Sequence, residues 1–203
     1  MSNFKKRFII SLLAFPIIYA LFYQKIFSNL LIVIVFLFCI YEWYRIFKKK
    51  NYVYFLGLLI LLFFLVSLLK IYNLEDNNLK FLWLILIAWF TDIGGYVFGK
   101  LFGGPKLIKI SPNKTWSGAF GSLILSQFAF LIFYLDPNYK LNINIIFFQI
   151  FLSIIGQTGD ILMSYIKRIN NKKDTSNLIP GHGGFLDRVD GLIWIFIFGN
   201  FLI

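Results

Sequence analysis

The densest group of charged and polar residues in this chain lies between Ser164 and Asp190, within a sequence that is otherwise largely apolar. Five cations and three carboxylates surround a His-Gly-Gly turn there, namely Lys167, Arg168, Lys172, Lys173, Arg188, Asp174, Asp187, Asp190 and the single histidine, His182. Lysine and arginine pair with phosphate groups, and carboxylates coordinate hard divalent cations. The segment therefore predicts phosphate and metal chemistry.

Asp160 and Ser164 lie four residues apart at the end of an apolar run, so they share one face of a helix. An ionisable residue at that depth is costly and marks a candidate functional site. The alternative is a structural Asp160 that pairs with Lys167 or Arg168. We interpret Asp160 as functional.

Asp187 and Asp190 open the last apolar run, three residues apart at a predicted helix N-terminus, where negative charge is favoured. Together with Asp160 they could chelate a hard divalent cation. Alone, the pair would be interpreted as an ordinary acidic helix start. The neighbouring cations and Asp160 favour the functional interpretation.

The turn Pro180-Gly181-His182-Gly183-Gly184 offers bare backbone amides, which can form a concave site for an anion. A lone histidine is more often a structural donor than a catalyst. A phosphate monoester with a second pKa near 6 needs little help to lose its proton. We therefore favour positioning or phosphate contact over general-base catalysis for His182.

A basic stretch, Ser111–Gly118, precedes the fifth apolar run. Lys114 can act as a point charge on phosphate, and Thr115 or Ser117 can cap the helix that follows. The alternative is a plain basic loop before a capped helix.

Asp92 is a further carboxylate near the end of an apolar run, followed by Gly94 and Gly95, which suit close packing or ligand approach. Gly156 and Gly159, near Asp160, likewise leave room for the close approach of a backbone or a ligand. Glu42, in contrast, is interpreted as structural, in an aromatic interfacial belt with an ion pair to Arg45 three residues later.

The elements that must carry these residues are transmembrane helices. The chain has 203 residues, of which 59% are hydrophobic, and its mean hydropathy is +0.77. The apolar runs are continuous rather than alternating, which excludes a β-barrel. We predict an all-α, polytopic membrane protein with seven spans at about 8–24, 27–47, 53–72, 79–99, 116–135, 143–163 and 190–203, the first of them uncleaved.

The basic residues predict the orientation of these spans. An N-terminus in the cytoplasm places 16 of the 20 lysines and arginines on one side, which the positive-inside rule makes cytoplasmic. The candidate site then lies at the cytoplasmic helix ends. The cations form no basic face of a nucleic-acid module, so we expect anionic lipids and phosphates as partners and no nucleic acid. The single Cys39 excludes an intrachain disulfide.

We predict one transmembrane domain over 1–203, in which 1–88 form N-terminal helical spans and 89–203 the catalytic portion. From Ser164 to Asp190 the chain reads SYIKRINNKKDTSNLIPGHGGFLDRVD, which resembles the signature of the phosphatidate cytidylyltransferases, or CDP-diacylglycerol synthases. It shows no departure from that pattern over 27 positions. The stretches 111–118 and 91–103 also resemble family segments, with Asn113 where a second lysine is common. The first 88 residues match only as hydrophobic spans.

The resemblance implies the reaction CTP + phosphatidate → CDP-diacylglycerol + pyrophosphate, by metal-assisted in-line attack, for phospholipid biosynthesis in the inner (plasma) membrane. It implies a homodimer that needs Mg²⁺, with K⁺ as a candidate second cation. It assigns the metal to Asp160 and Asp187, with Ser164 nearby. The expected catalytic residues are Asp160, Asp187, Asp190, Lys167, Lys173 and His182. The expected substrate-binding residues are Asp92, Lys114, Thr115, Ser164, Arg168, Asp174, Gly183, Gly184 and Arg188.

The sequence is less consistent with three other interpretations. A transporter for an anionic solute would place its charges near the midplane and show repeated halves, whereas here the charges cluster at one face. A CTP-dependent polyprenol kinase would transfer the γ-phosphate of CTP instead of the cytidylyl group. Loss of activity is disfavoured because the motif is intact.

Overall fold

The computed structural model describes residues 25–47, 51–74, 78–135, 144–176, 178 and 183–202. Its α-helices are α1 (Lys25–Ile46), α2 (Tyr52–Asn73), α3 (Asn78–Phe102), α4 (Trp116–Ser126), α5 (Asn144–Ile169) and α6 (Leu186–Leu202). A 3₁₀ helix, Gln127–Leu135, continues α4, and a hairpin of β1 (Lys106–Ile108) and β2 (Ser111–Thr115) separates α3 from α4. The predicted all-α class is confirmed.

Within the described residues, five helices are long and apolar enough to cross a membrane, so the chain is a multi-pass membrane protein. They are Lys25–Ile46, Tyr52–Asn73, Leu79–Phe102, Trp116–Tyr134 (α4 with its 3₁₀ extension) and Asn144–Ile169. Their bounds agree with those of the predicted spans from the second to the sixth. The first predicted span lies outside the described residues. Helix α6 has 17 residues and is about 26 Å long, a little short for a span, so the count of seven stays a prediction.

Helix α2 illustrates why these segments belong in lipid. It is apolar on all sides: Leu61 and Phe64 face the protein interior and are 2% and 1% exposed, whereas Leu62 and Phe63 face outward and are 51% and 54% exposed. A helix that is hydrophobic all round suits a bilayer. The carboxamide oxygen of Asn51 accepts a hydrogen bond from the Tyr54 N–H and so caps its N-terminus.

The hairpin between α3 and α4 is a difference from the sequence analysis, which predicted only a long cytoplasmic segment over about 100–115. Lys106 pairs with Thr115, and Ile108 pairs with Ser111, in antiparallel register. Gly103 and Gly104 turn the chain out of α3 with φ angles of 59° and 101°, which glycine adopts without strain. The hairpin folds the basic stretch back over the helix ends.

Small residues bring the helices of the second half into close contact, as predicted for their glycines. A Cβ atom on Gly94 of α3 would lie 2.5 Å from the Gly121 carbonyl oxygen of α4. A Cβ atom on Gly159 of α5 would lie 2.0 Å from the Trp194 ring of α6. These glycines therefore allow close packing of α3 against α4 and of α5 against α6.

Candidate active site

A cavity of about 390 Å³ opens where α3, the hairpin, α4, α5 and α6 meet. Its lining includes seven of the predicted site residues, namely Asp92, Lys114, Thr115, Asp160, Asp187, Arg188 and Asp190. These residues are far apart in sequence, and the fold gathers them at one end of the bundle. The cavity combines carboxylate oxygens with ammonium and guanidinium groups.

Asp160 pairs with Lys114 across this cavity. The alternative partners considered from the sequence, Lys167 and Arg168, are wrong, because both lie on the last turns of α5 and bind other groups. The side chains of the observed pair are 25% (Lys114) and 33% (Asp160) exposed, so water and ligands can reach it. The hairpin makes this contact possible because it folds Lys114 back over α5.

Thr115, one of the two residues predicted to cap α4, forms the cap. Its hydroxyl oxygen accepts a hydrogen bond from the Gly118 N–H at 3.1 Å and lies 3.0 Å from the Ser117 hydroxyl oxygen. Because Thr115 is both the last residue of β2 and the cap of α4, the cap fixes the direction in which β2 enters the helix. Lys114, the preceding residue, is therefore held over the cavity by the cap and the hairpin together.

Asp187 lies at the start of α6 and pairs with Lys167, whose Nζ is 2.6 Å from Asp187 Oδ1. Lys167 is only 8% exposed, so this pair is largely shielded from water. The other carboxylate oxygen of Asp187 accepts hydrogen bonds from the backbone N–H groups of Thr175 (2.9 Å) and Gly184 (3.0 Å). The carboxylate thus joins α5, the loop and α6.

This environment keeps Asp187 ionised. Burial alone would raise its pKa, but the hydrogen bond from Lys167, those from the Thr175 and Gly184 amides and the charge of Lys167 hold the pKa of Asp187 below its ordinary value. A carboxylate with a lowered pKa stabilises the fold above the pKa it has when unfolded, about 3.9. That contribution is lost as the pH falls further.

The two glycines of the predicted anion-binding turn differ in role. Gly183 has a φ of 82°, as the turn requires. The Gly184 N–H donates to Asp187, so contact with a substrate phosphate would require that bond to break. His182, with Pro180 and Gly181, lies outside the described residues, and its predicted role stays a prediction.

Lys173 and Asp174 line a second, more open cavity of about 480 Å³, together with Arg45, Lys172 and Thr175. The predicted site residues are therefore divided between two cavities. Asp187 lines the first cavity and Thr175 the second, and the hydrogen bond from the Thr175 N–H to Asp187 connects the two.

Arg168 and Ser164 are not among the described residues that line either cavity. The Arg168 guanidinium donates to the Lys172 carbonyl oxygen at 3.0 Å, so it closes the end of α5. Ser164 is half-buried one turn beyond Asp160. Gln157, which the sequence analysis missed, does line the first cavity. Its spacing of three residues from Asp160 on one helix could have indicated it.

Glu42 requires a correction. It is fully buried, and its carboxylate accepts hydrogen bonds from the loop and from the start of α6, so the predicted ion pair with Arg45 is wrong. The Arg45 guanidinium instead donates to the Tyr41 hydroxyl at 3.4 Å. Nothing local in the sequence could indicate these partners, because they lie more than 130 residues further along the chain.

The donor set fits a Mg²⁺ ion that shares its ligands with a substrate. Asp92, Asp160 and Asp190 offer carboxylate oxygens to one cavity. Mg²⁺ usually binds one or two carboxylates, substrate phosphates and several waters. No group of three acidic, histidine or cysteine side chains in the described part of the chain is close enough to hold a metal ion without such help. Asp160 and Asp187, the predicted ligands, each pair with a lysine, whose place a cation would take.

Comparison with known proteins shows which family the chain belongs to. The profile of the cytidylyltransferase family matches residues 8–203. The phosphatidate cytidylyltransferase of Rickettsia felis is 36% identical over 164 residues, which cover 75% of this chain and 70% of that protein. The enzyme of that name from Staphylococcus haemolyticus is 38% identical over 141 residues, 68% of this chain and 54% of that protein. The one from Bacillus subtilis is 37% identical over 138 residues, 66% of this chain and 51% of that protein.

The chain thus spans about half the length of most of these curated relatives, 54% for the Staphylococcus haemolyticus protein. The match of the family profile nevertheless extends from residue 8 to the last residue, through all of the described helices. The chain belongs to the cytidylyltransferase family.

Proposed function

We propose that this chain transfers the cytidylyl group of CTP to phosphatidate, giving CDP-diacylglycerol and pyrophosphate. The observation that carries the proposal is the cavity at the helix ends, where Asp160 and Asp190 share one lining with Lys114 and Arg188. Such a lining suits a reaction between two phosphates. Family membership and the names of the relatives support the same reaction.

The reaction joins two anions that repel each other. A phosphate oxygen of phosphatidate forms a bond to the α-phosphorus of CTP, the bond from that phosphorus to the oxygen bridging to the β-phosphorus breaks, and pyrophosphate leaves with the bonding electrons. Catalysis of such a transfer consists mostly of alignment and charge neutralisation. Lys114 and Arg188 supply positive charge at the cavity, and the Lys167–Asp187 pair holds α5 and α6 together beside it.

A divalent cation, proposed to be Mg²⁺, would be held by Asp160, with Asp187 or Asp190, and would supply charge neutralisation for the phosphates when bound. These carboxylates would hold and orient it, and the lysines that now pair with Asp160 and Asp187, namely Lys114 and Lys167, would then be available to phosphate oxygens. K⁺ is a candidate second cation.

The location of the cavity suits both substrates. Phosphatidate presents its phosphate at the membrane surface, and CTP comes from the aqueous side. A site at helix ends that carry lysine and arginine meets both. We propose that this end is the cytoplasmic face of the inner (plasma) membrane, with the N-terminus on the same side, and that the enzyme acts as a homodimer.

Radiolabel transfer tests the reaction directly. Purified protein in detergent is incubated with phosphatidate and CTP labelled at the α- or the γ-phosphate, with and without Mg²⁺. We expect Mg²⁺-dependent α-label in lipid and γ-label in released pyrophosphate. Label from the γ-position in lipid would instead identify a kinase. Solute flux into liposomes without any turnover would identify a transporter.

A further inference from the structure

Among the described residues outside the cavity, Glu42 of α1 is the buried acid with the most complete set of hydrogen bonds, and it is 0% exposed. Its Oε1 accepts from the Ser176 hydroxyl at 2.5 Å and from the Phe185 N–H at 2.8 Å. Its Oε2 accepts from the Thr175 hydroxyl at 2.8 Å and from the Leu186 N–H at 2.7 Å. Each oxygen therefore binds one hydroxyl from the start of the loop and one amide from its end.

The pattern of donors and acceptors is specific for a carboxylate. All four groups donate, and an ionised carboxylate is the only side chain of this size that accepts at both ends. The two amides belong to the N-terminal end of α6, where a negative charge is favoured. Glu42 thus holds residues 175 and 176 next to residues 185 and 186, where α6 begins.

The same network reaches the cavity. The Thr175 hydroxyl oxygen lies 2.8 Å from Glu42 Oε2 and 3.1 Å from Asp187 Oδ2, so its single proton is shared between the two carboxylates. Asp187 in turn binds Lys167 and lines the cavity. Gly184 leaves the space that this arrangement needs, since a Cβ atom there would lie 1.8 Å from the Thr175 hydroxyl oxygen and 2.6 Å from Glu42 Oε2.

We propose that Glu42 is a positioning residue for the cytidylyl transfer: it holds both ends of the loop 175–185, so that Asp187 and the start of α6 keep their place beside the cavity. This inference rests on the proposed function. It extends the active site to a helix of the N-terminal spans, which the sequence analysis placed outside the catalytic portion.

Substitution by glutamine separates charge and hydrogen bonding from shape. In either orientation of the Glu42→Gln amide, its NH₂ group faces the N–H of Phe185 or Leu186, and one buried donor is left unpaired. We expect kcat per folded molecule to fall at least about tenfold, equivalent to about 1.4 kcal/mol. The KM for CTP should change by less than about threefold, because the cavity lining itself is intact. Glu42→Asp keeps two acceptors and should recover part of the lost kcat.

A readout that needs no substrate accompanies the kinetics. Amide hydrogen exchange in peptides covering 175–190 should speed up in Glu42→Gln while exchange in α2 stays unchanged. The matched control is Tyr72→Phe, which removes a buried hydrogen bond of 2.7 Å between α2 and Ser28 of α1. That bond lies 14 residues, about 21 Å along the helix, from Glu42. The control should leave both the exchange of 175–190 and kcat unchanged.

Each outcome has a distinct meaning. A Glu42→Gln protein with wild-type kcat per folded molecule overturns the inference, even if its melting temperature falls, because the residue is then merely structural. If Glu42→Gln does not accumulate, Ser176→Ala removes one of the four donors, and its kcat should fall by about threefold. An unchanged kcat in that variant would also overturn the inference. A wild-type protein that transfers no α-label overturns the proposed function instead, and the exchange measurement still tests whether Glu42 holds the loop.

Discussion

Asp160 and Asp187 each face a lysine, but their surroundings differ in a way that matters for any experiment on them. The Asp160 pair is open to water, with side chains 25% and 33% exposed, and joins the hairpin to α5. The Asp187 pair has both side chains only 10% exposed, and the same carboxylate binds two backbone amides. Loss of charge at Asp187 therefore affects folding as well as chemistry.

Asparagine at these two positions should separate the two effects. We expect Asp160→Asn to lower kcat by about 10²-fold or more, while thermal unfolding in detergent changes by less than about 1 kcal/mol, the range of an exposed ion pair. Asp187→Asn should lower kcat similarly and also cost about 3 kcal/mol, because Lys167 is left as a buried, uncompensated charge. Activity assays and melting curves of the two purified variants check this. A fully active Asp160→Asn enzyme would contradict the assignment of Asp160 to the active site.

His182 has a role that its own variants can reveal. Phosphatidate is already largely dianionic near neutral pH, so the transfer needs no strong base. We expect His182→Gln, which can still donate a hydrogen bond, to keep more activity than His182→Ala. Its rate should still rise with a pKa near that of the phosphate, about 6. Profiles of both variants over about pH 5.5–8.5 decide the matter, since a general base would leave both equally inactive and remove the acidic limb.

Helices α3 and α4 depend on glycine where their backbones meet. Gly94→Ala should destabilise the protein by about 1–3 kcal/mol, because its Cβ atom would lie 2.5 Å from the Gly121 carbonyl oxygen and the helices must separate. Gly95→Ala is the matched control, since its Cβ atom would lie 3.0 Å from the Ser122 hydroxyl oxygen, a side-chain atom, and 4.0 Å from the Gly118 carbonyl oxygen. Thermal unfolding of both variants measures the difference. Equal melting temperatures would show that the α3–α4 contact is not a determinant of stability.

The helices could be predicted from the sequence because the features that define them, apolar runs and capping residues, are local. The five long spans follow from continuous apolar runs, and the cap at Thr115 follows from residue type and position. The hairpin was missed because its strands have three and five residues and Ser111–Thr115 shows no apolar alternation. The Asp160–Lys114 pair was missed for the same reason, since only the hairpin brings Lys114 back to α5.

At the scale of the whole molecule, segments far apart in sequence share one end of the bundle. The Lys172 ammonium donates to the Arg45 carbonyl oxygen, and Lys114 pairs with Asp160. Ser28 and Tyr72 meet at the opposite end. Arg45, Lys114 and Lys172, which the charge count places in the cytoplasm, therefore lie at one end. Lys5, Lys6 and Arg7, which it places on the same side, lie outside the described residues.

The predicted orientation can be measured with single cysteines in a Cys39→Ser background. Substitutions at Lys49, Asn77, Lys109, Asn138 and Lys172 should be accessible to a membrane-impermeant reagent in the order inside, outside, inside, outside, inside. The Lys109 and Lys172 positions provide the internal control, because their segments lie at the same end of the bundle. Labelling of the cysteine at 172 from the outer face would overturn the arrangement.

The contacts of Glu42 also set a condition on synthesis of the chain. Its partners follow 133 to 144 residues later. At about 5–20 residues per second, the ribosome needs roughly 7–30 s to deliver them. During that interval the carboxylate has to stay in contact with water at the membrane surface, because a lone charge in hydrocarbon is costly. The place of Glu42 only four residues before the end of α1 allows this. The order in which the chain is made thus restricts how deeply its second predicted span can enter the membrane before the last helix arrives.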